Sequence, residues 1–273
     1  MNEKISLAGD LGSGKSTVSK ILIEKLGAEY YSTGAIVRSI AERRGMTVVE
    51  LNVYMETHPE IDNEIDDGLI ALGEVDKPLI IDSRMAWHFT KGTFKVYLST
   101  DVETSAYRIM NANRQGEHAA NLEETIKETK ARRESEKKRY MQQYGVDIKD
   151  LTNYDLIVDT TIATPDEVAS CIITAYNMWL ENKDFKCAYI SPMRLGFPDD
   201  AADNTLVEEY ALSIELGKEL PKVSIFEVDG DFYVEENVEV ALALSFNSES
   251  FIPCCLKKGN LADKKYVKMT NSL

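Results

Sequence analysis

The sequence predicts an α/β protein: a parallel sheet flanked by helices, with a small α+β domain behind it. Three observations carry that prediction. Short β-type runs alternate with helical patterns through the first two-thirds of the chain, as in a sheet covered by helices. Several of those runs are apolar without alternation, as in strands buried on both faces. A glycine-rich segment, GDLGSGKST at 9–17, joins the first strand to the first helix.

In chain order, the predicted strands are 4–8 (KISLA), 29–32 (EYYS), 78–82 (PLIID), 94–99 (FKVYLS) and 155–159 (DLIVD). The predicted helices are 15–26, 34–44, 48–57, 60–72, 101–113, 121–144 and 165–182. Thr164 before Pro165 marks a helix start, because a hydroxyl caps the free N–H groups and proline suits the first helical position. After residue 183 the character changes. A helical pattern (TLVEEYALSIELG), a strand (KVSIFEV), an Asp-Gly turn and a strand (FYVE) follow, then a helix at 236–245 and a strand at 251–256. Asp-Gly between two strand patterns signals a hairpin. A domain boundary is placed near 184, giving domains 1–183 and 184–273. The last dozen residues are polar and expected to fray.

The chain has 273 residues and a net charge of −15. That charge argues against a nucleic acid polymer as ligand, because affinity for one rests on excess Lys and Arg. A small anion is still compatible, since a few arginines in a cleft override the global sign. No apolar run reaches the roughly 20 residues that cross a bilayer, and the N-terminus lacks signal-peptide order. These features predict a cytoplasmic protein with no membrane contact. Cys171, Cys187, Cys254 and Cys255 show neither CxxC spacing nor a metal-ligand cluster with His58, His88 and His118, and are expected as reduced thiols.

The pattern Gly-x4-Gly-Lys-Ser is met by Gly9, Gly14, Lys15 and Ser16, between a strand and a helix as a phosphate-binding loop (P-loop) requires. Its backbone N–H groups and the helix dipole attract phosphate. Lys15 would reach the β- and γ-phosphates, and the Ser16 hydroxyl would ligate Mg²⁺. A loop of this kind serves hydrolysis and transfer alike. A transferase needs a second anion site, for which arginine is suited by its planar fork.

Three segments offer one. In STGAIVR (32–38), Ser32 and Thr33 stand at a helix N-terminus with Arg38 about one turn inside; the plain alternative is a cap and a solvated arginine. In PLIIDSR (78–84), Asp82 and Arg84 fall at the carboxyl end of a buried strand, where open α/β sheets bind ligands. Asp82 could hold the Mg²⁺ water shell or orient the acceptor, or the segment could be a simple turn. In KARRESEKKRYMQQYG (130–145), spacings of three and four set Arg132, Glu136 and Arg139 on one face, with Arg133 about 100° away from Arg132. A salt-bridged, solvated face is the alternative there. Arg108 and Arg114 precede it, and 111–121 has the composition of a hinge into a flap. No HRD-type loop is present. A phosphate acceptor needs no strong base, because its oxygens are already ionised, so positioning and charge neutralisation suffice.

Residues 4–176 resemble the cytidylate kinases, most closely their archaeal-type branch. The matching segments are GDLGSGKSTVSKIL, YSTGAIVRSIAERRGM, PEIDNEID, IIDSR and RRESEKKRYMQQYGVDIKDLTNYDLIVDT. The resemblance implies a nucleoside monophosphate kinase fold with an arginine-bearing lid, and transfer of the ATP γ-phosphoryl group to CMP or dCMP. It implies that Gly9 and Gly12, Ser13, Gly14, Lys15, Ser16 and Thr17 hold ATP with Mg²⁺, with Arg108 near the adenine or its phosphates. It also implies that Ser32, Arg38 and Arg84 bind the acceptor and that Arg133, Glu136 and Arg139 serve the lid and acceptor side. With the residue reading above, Lys15, Arg133, Arg139 and Asp82 are the catalytic candidates and Ser16 and Asp82 the metal candidates. Two other functions fit the same loop. One is a kinase of another small hydroxylated metabolite, with Asp82 as general base. The other is an ATP-binding switch acting through the C-terminal domain.

Residues 186–258 are similar to the ParB/sulfiredoxin-like domain, whose hairpin leads into a histidine–arginine signature at a helix start. Here that stretch reads EENVEVALAL (235–244), without the histidine or the arginine. Glu235, Glu236 and Glu239 would repel a phosphate. The resemblance implies a domain that keeps the fold, lacks that family's catalysis and is suited to contacting a protein partner.

Overall fold

A computed structural model describes residues 4–55, 57–111, 121–199, 202–247, 250–261 and 265–268. The chain forms two compact units: residues 1–98 with 102–150, and residues 99–101 with 151–273.

The first unit starts with β1 (Lys4–Gly9), every residue of which is buried. It continues through α1 (Lys15–Leu26), β2 (Glu29–Ser32), α2 (Thr33–Arg43), α3 (Val48–Met55) and α4 (Pro59–Ala71). Then come β3 (Leu79–Asp82), α5 (Ala86–Phe89), β4 (Thr93–Ser99), α6 (Val102–Asn111) and α7 (Leu122–Tyr144). The strands run parallel in the order β4-β1-β3-β2, with Leu7 opposite Asp82 and Gly9 opposite Leu98. Ile5, Leu7, Ile80, Ile81, Phe94, Val96 and Leu98 are at most 1% exposed, and Lys4, Ser6 and Thr93 are buried among them, as in strands covered on both faces. Each predicted strand and helix of this unit lies within two residues of its predicted bounds. The short α5 was not read from sequence.

Two devices fix the start of this unit. Gly9 has φ +147°, and a Cβ there would stand 2.4 Å from the Leu98 carbonyl oxygen, so only glycine lets β1 and β4 approach. Helix α1 turns Val18 and Leu22 inward and ends on Gly27 in the left-handed conformation. A second core lies between α2, α3 and α4, built from Ile40, Leu51, Met55, Ile61, Ile65 and Leu69, with Tyr140 and Tyr144 of α7 against it. Apart from those tyrosines α7 is mostly polar, with Leu122 and Met141 exposed, and its buried residues are Thr125 and Thr129. Asn121 caps it, accepting from the Glu124 N–H at 2.9 Å. Residues 112–120, which include Arg114 and His118 of the expected hinge, lie outside the described residues.

The second unit holds β5 (Leu156–Asp159), α8 (Pro165–Glu181), β6 (Cys187–Ile190), β7 (Leu195–Pro198), α9 (Asn204–Glu215), β8 (Val223–Val228), β9 (Asp231–Glu236), α10 (Val238–Phe246), β10 (Ile252–Leu256) and β11 (Tyr266–Lys268). Its strands lie in the order β11-β7-β9-β8-β10-β6-β5, in a mixed sheet. Thr164 and Glu167 close a capping box on α8. Asp229 and Gly230 both have positive φ, as the primed hairpin turn between β8 and β9 requires. A buried Arg194–Asp159 pair at 3.3 Å ties the segment after β6 to β5.

The expectation that the last dozen residues fray is corrected for Tyr266–Lys268. They pair antiparallel to β7, and the Tyr266 ring packs 5.0 Å from that of Tyr233 and 5.8 Å from that of Phe226. The rest of that stretch, apart from Lys265, lies outside the described residues. Strands β6 and β7 also escaped the sequence reading, being four residues long beside prolines 192 and 198. Among the described residues no helix is long and apolar enough to cross a membrane.

Candidate active site

The segment between β1 and α1 folds into a cradle. Gly12 and Gly14 take φ +71° and +79°. A Cβ on Gly12 would meet the Ser105 carbonyl oxygen at 2.6 Å, whereas one on Gly14 would face open space. Gly14 caps α1 without any side-chain hydrogen bond, and no acidic residue follows in the first turn. The helix N-terminus thus offers its N–H groups and positive end to an external anion. Ser13 is buried, while Ser16 and Thr17 are exposed on the first turn. Arg108 of α6 reaches the loop and donates from Nη1 to the Gly12 carbonyl oxygen at 3.5 Å.

Lys15 folds back over the loop. Its Nζ donates to the carbonyl oxygens of Gly9 (3.0 Å) and Asp10 (2.8 Å) and to Ser13 Oγ (3.4 Å). Burial, helped by the Arg84 guanidinium, lowers its ammonium to about 8, against the pull of Asp82, Asp10 and Glu136. Arg84, two residues past β3, donates from Nη1 to the Gly9 oxygen at 3.5 Å and from Nε to Glu136 Oε2 at 2.6 Å. Burial would raise the Glu136 carboxyl. Arg84 above all, then Arg132 and Arg139, reverse this and hold it below the usual range.

Asp82 ends β3 and accepts a hydrogen bond from Tyr30 Oη at 2.9 Å. Ser32 caps α2, its Oγ accepting from the Ala35 N–H at 3.4 Å. Arg38 is exposed and lies over Gly34 at the start of that helix. These placements put Asp82, Ser32 and Arg38 at the carboxyl ends of β2 and β3, the edge that binds ligands in open α/β sheets.

Helix α7 brings its charges to the loop. Arg133 Nε lies 3.8 Å from Asp10 Oδ1, and Arg133 Nε and Nη2 are buried without a hydrogen-bond partner. Buried donors left unmatched cost stability unless something satisfies them, so these two atoms fit a ligand's phosphate oxygens. Glu136 sits between Arg84 and Arg132, the latter at 3.4 Å. Arg139 donates from Nη2 to Tyr140 Oη at 3.2 Å and lies near Asp62. Burial raises the Asp62 carboxyl, with Arg139 and Gln143 opposing. Asp66 accepts from Tyr144 Oη at 2.6 Å.

Sequence reasoning missed five of these groups. Asp10 lies inside the motif yet at one of its unspecified positions. Tyr97 and Lys149, which both donate to Asp10, carry no motif. Asp62 and Asp66 show an i,i+4 spacing in PEIDNEID that would have placed them on one helix face.

A model of the cytidylate kinase-like family matches residues 4–162, more than half of the chain. The chain is 38% identical to a cytidylate kinase of Archaeoglobus fulgidus, over 63% of this chain and 93% of that protein. It is 37% identical to one of Thermoplasma volcanium, over 62% and 89%. An S-adenosylmethionine-dependent nucleotide dehydratase of Lacinutrix mariniflava is 38% identical over 64% of this chain, and the chain spans 36% of that protein's length. The loop, its lysine and the arginines around it lie inside the matched span: the chain belongs to the cytidylate kinase-like family, and its kinase segment is that of a nucleoside monophosphate phosphotransferase.

Proposed function

We propose that the protein transfers the γ-phosphoryl group of ATP to CMP or dCMP in the cytoplasm. The observation that carries this reading is the convergence on the P-loop of Lys15, of Arg84 from beyond β3 and of Arg133 from α7, the last with two buried, unmatched donor atoms. One phosphate loop with one lysine suits a single nucleotide. Arginines from two further elements suit a second phosphate opposite it.

In this reading the glycine cradle and the N-terminus of α1 bind the β- and γ-phosphates. An oxygen of the acceptor phosphate attacks the γ-phosphorus, the bond to the β–γ bridging oxygen breaks, and ADP leaves. No base is needed. Lys15, Arg84 and Arg133 neutralise the charge spread over the transferring oxygens. Ser16 and Asp82 are the residues that would hold Mg²⁺, which would supply charge shielding for the phosphates. A magnesium ion held largely by phosphate and water oxygens needs no larger protein cluster. Among the described residues no group of three or more His, Cys, Asp or Glu side chains is gathered for a metal.

The choice of cytosine rests on Asp62 and Arg139, an acceptor beside a donor. A cytosine edge offers the complementary amino donor and ring acceptors, whereas uracil would set a carbonyl against the carboxylate. The test is ADP release measured with each nucleoside monophosphate in turn. CMP or dCMP should give the highest kcat/KM, and a rate at background with every monophosphate would end the reading. The rival, a hydroxyl acceptor, would use Asp82 as base. Asp82→Asn should then abolish turnover with that acceptor regardless of Mg²⁺.

For the C-terminal domain, 184–273, we propose contact with a protein partner in place of catalysis. What supports this is the carboxylate-rich stretch 235–239 at the start of α10. Glu236 is bound by Lys257 at 2.6 Å and by Ser224 Oγ at 2.9 Å, so its carboxylate is engaged within the domain.

A further inference from the structure

Asp10 is an anion built into a loop whose ligand is anionic. It is 6% exposed, and its carboxylate would repel phosphate at close range unless cancelled. Tyr97 and Lys149 are among the groups that address it. Tyr97 Oη donates to Oδ1 at 2.9 Å, and Lys149 Nζ, from the segment after α7, donates to the same oxygen. Lys149 also donates to Tyr97 Oη at 2.7 Å, so the three side chains form a closed triangle behind the loop. Arg133 Nε lies 3.8 Å from the same Oδ1, close enough for attraction and too far for a hydrogen bond.

We propose that Asp10 and Lys149 are a paired positioning device for phosphoryl transfer: Asp10 holds Arg133 beside the loop with its donors unspent, and Lys149 cancels the Asp10 charge so that the loop still attracts phosphate. The proposal rests on the phosphotransferase reading for its kinetic arm and is independent of it for its binding arm. Neither residue touches the reacting atoms. The charge balance explains the geometry. With Asp10 alone the loop would hold Arg133 and repel nucleotide; with Lys149 alone nothing would draw Arg133 to the loop. Together they leave a locally neutral pair beside the Arg133 cation.

The test is equilibrium binding of ADP with Mg²⁺ to the full chain, at low and at raised ionic strength, with turnover and thermal unfolding measured alongside. Lys149→Met leaves Asp10 uncancelled, and Kd for ADP should rise about tenfold at low salt, with the gap shrinking as salt is added. Lys149→Arg, which keeps the charge, should bind within about threefold of wild type. Asp10→Asn should bind ADP near normally yet lose about tenfold in kcat, because Arg133 is no longer drawn to the loop. The double variant, Asp10→Asn with Lys149→Met, should recover the ADP affinity that Lys149→Met lost while kcat stays low.

Equal weakening in Lys149→Met and in the double variant would overturn the proposal, since a structural role predicts no rescue. So would wild-type affinity in Lys149→Met. If Lys149→Met does not fold, Lys149→Gln is read in its place by the same criteria. Absence of turnover with every monophosphate would remove the functional reading alone and leave the binding outcomes to decide the charge pair.

Discussion

The β1–loop–α1 segment and helix α7 meet at the proposed phosphate site but are held there by different forces. The first is fixed by apolar burial and by glycines at Gly9 and Gly12 where any Cβ would collide with backbone. The second buries little of its own surface and is tied down by Arg133 to Asp10, Glu136 to Arg84 and Lys137 to Asp147 at 3.5 Å, with Tyr140 and Tyr144 as its apolar foot. Burial is indifferent to salt, whereas partly exposed ion pairs weaken with it. Under the proposed function, the difference would pair a cradle fixed by its fold with arginines held mainly by charge.

The largest effect should come from breaking the rigid partner's chemistry. Lys15→Ala should cost about 10²–10³-fold or more in kcat, with the unfolding midpoint little changed, because the ammonium stabilises transition-state charge and packs no core. Gly9→Ala attacks the same segment through its fold. The Cβ at 2.4 Å from the Leu98 oxygen should destabilise by about 2–4 kcal/mol in urea unfolding.

Effects on α7 should be smaller and selective. Arg139→Ala should raise KM for the monophosphate by roughly 10–100-fold and leave that for ATP within about threefold. A pH profile probes the junction of the two segments. Lys15 carries its charge below about 8, so kcat/KM should fall as pH rises through that value. The sign for stability is opposite. Between about 8 and the ordinary lysine value of 10.5 the unfolded chain holds a proton the folded one has released, so folding gains from this group as pH rises. The smallest effect belongs to Arg132→Ala. That side chain is 45% exposed and makes an i,i+4 pair, which should amount to a few tenths of a kcal/mol.

The same division explains what could be read from the chain alone. Whereas β2, EYYS, is partly exposed at the sheet edge, the inner strands of the first unit announce themselves because burial on both faces calls for runs rich in apolar residues. The loop does so because glycines at fixed spacing have few other uses. Helix α7 is legible from its helical pattern and its charges, yet the partners of those charges are not. Arg84 and Glu136 are 52 residues apart and Asp10 and Lys149 are 139 apart, and no periodicity links such positions. Strands β6, β7 and β11 escaped for a related reason. They are three or four residues long, and neighbouring strands hold them, β6 between β5 and β10, and β11 with the Tyr266 ring against those of Tyr233 and Phe226.

The most direct measurement follows the label from [γ-³²P]ATP in a reaction with CMP or dCMP. Label arriving in the nucleoside diphosphate, lost in Lys15→Ala and with little released as free phosphate, is the predicted result. Label appearing only as inorganic phosphate, or remaining in ATP with every monophosphate offered, would contradict a site built to join two nucleotides.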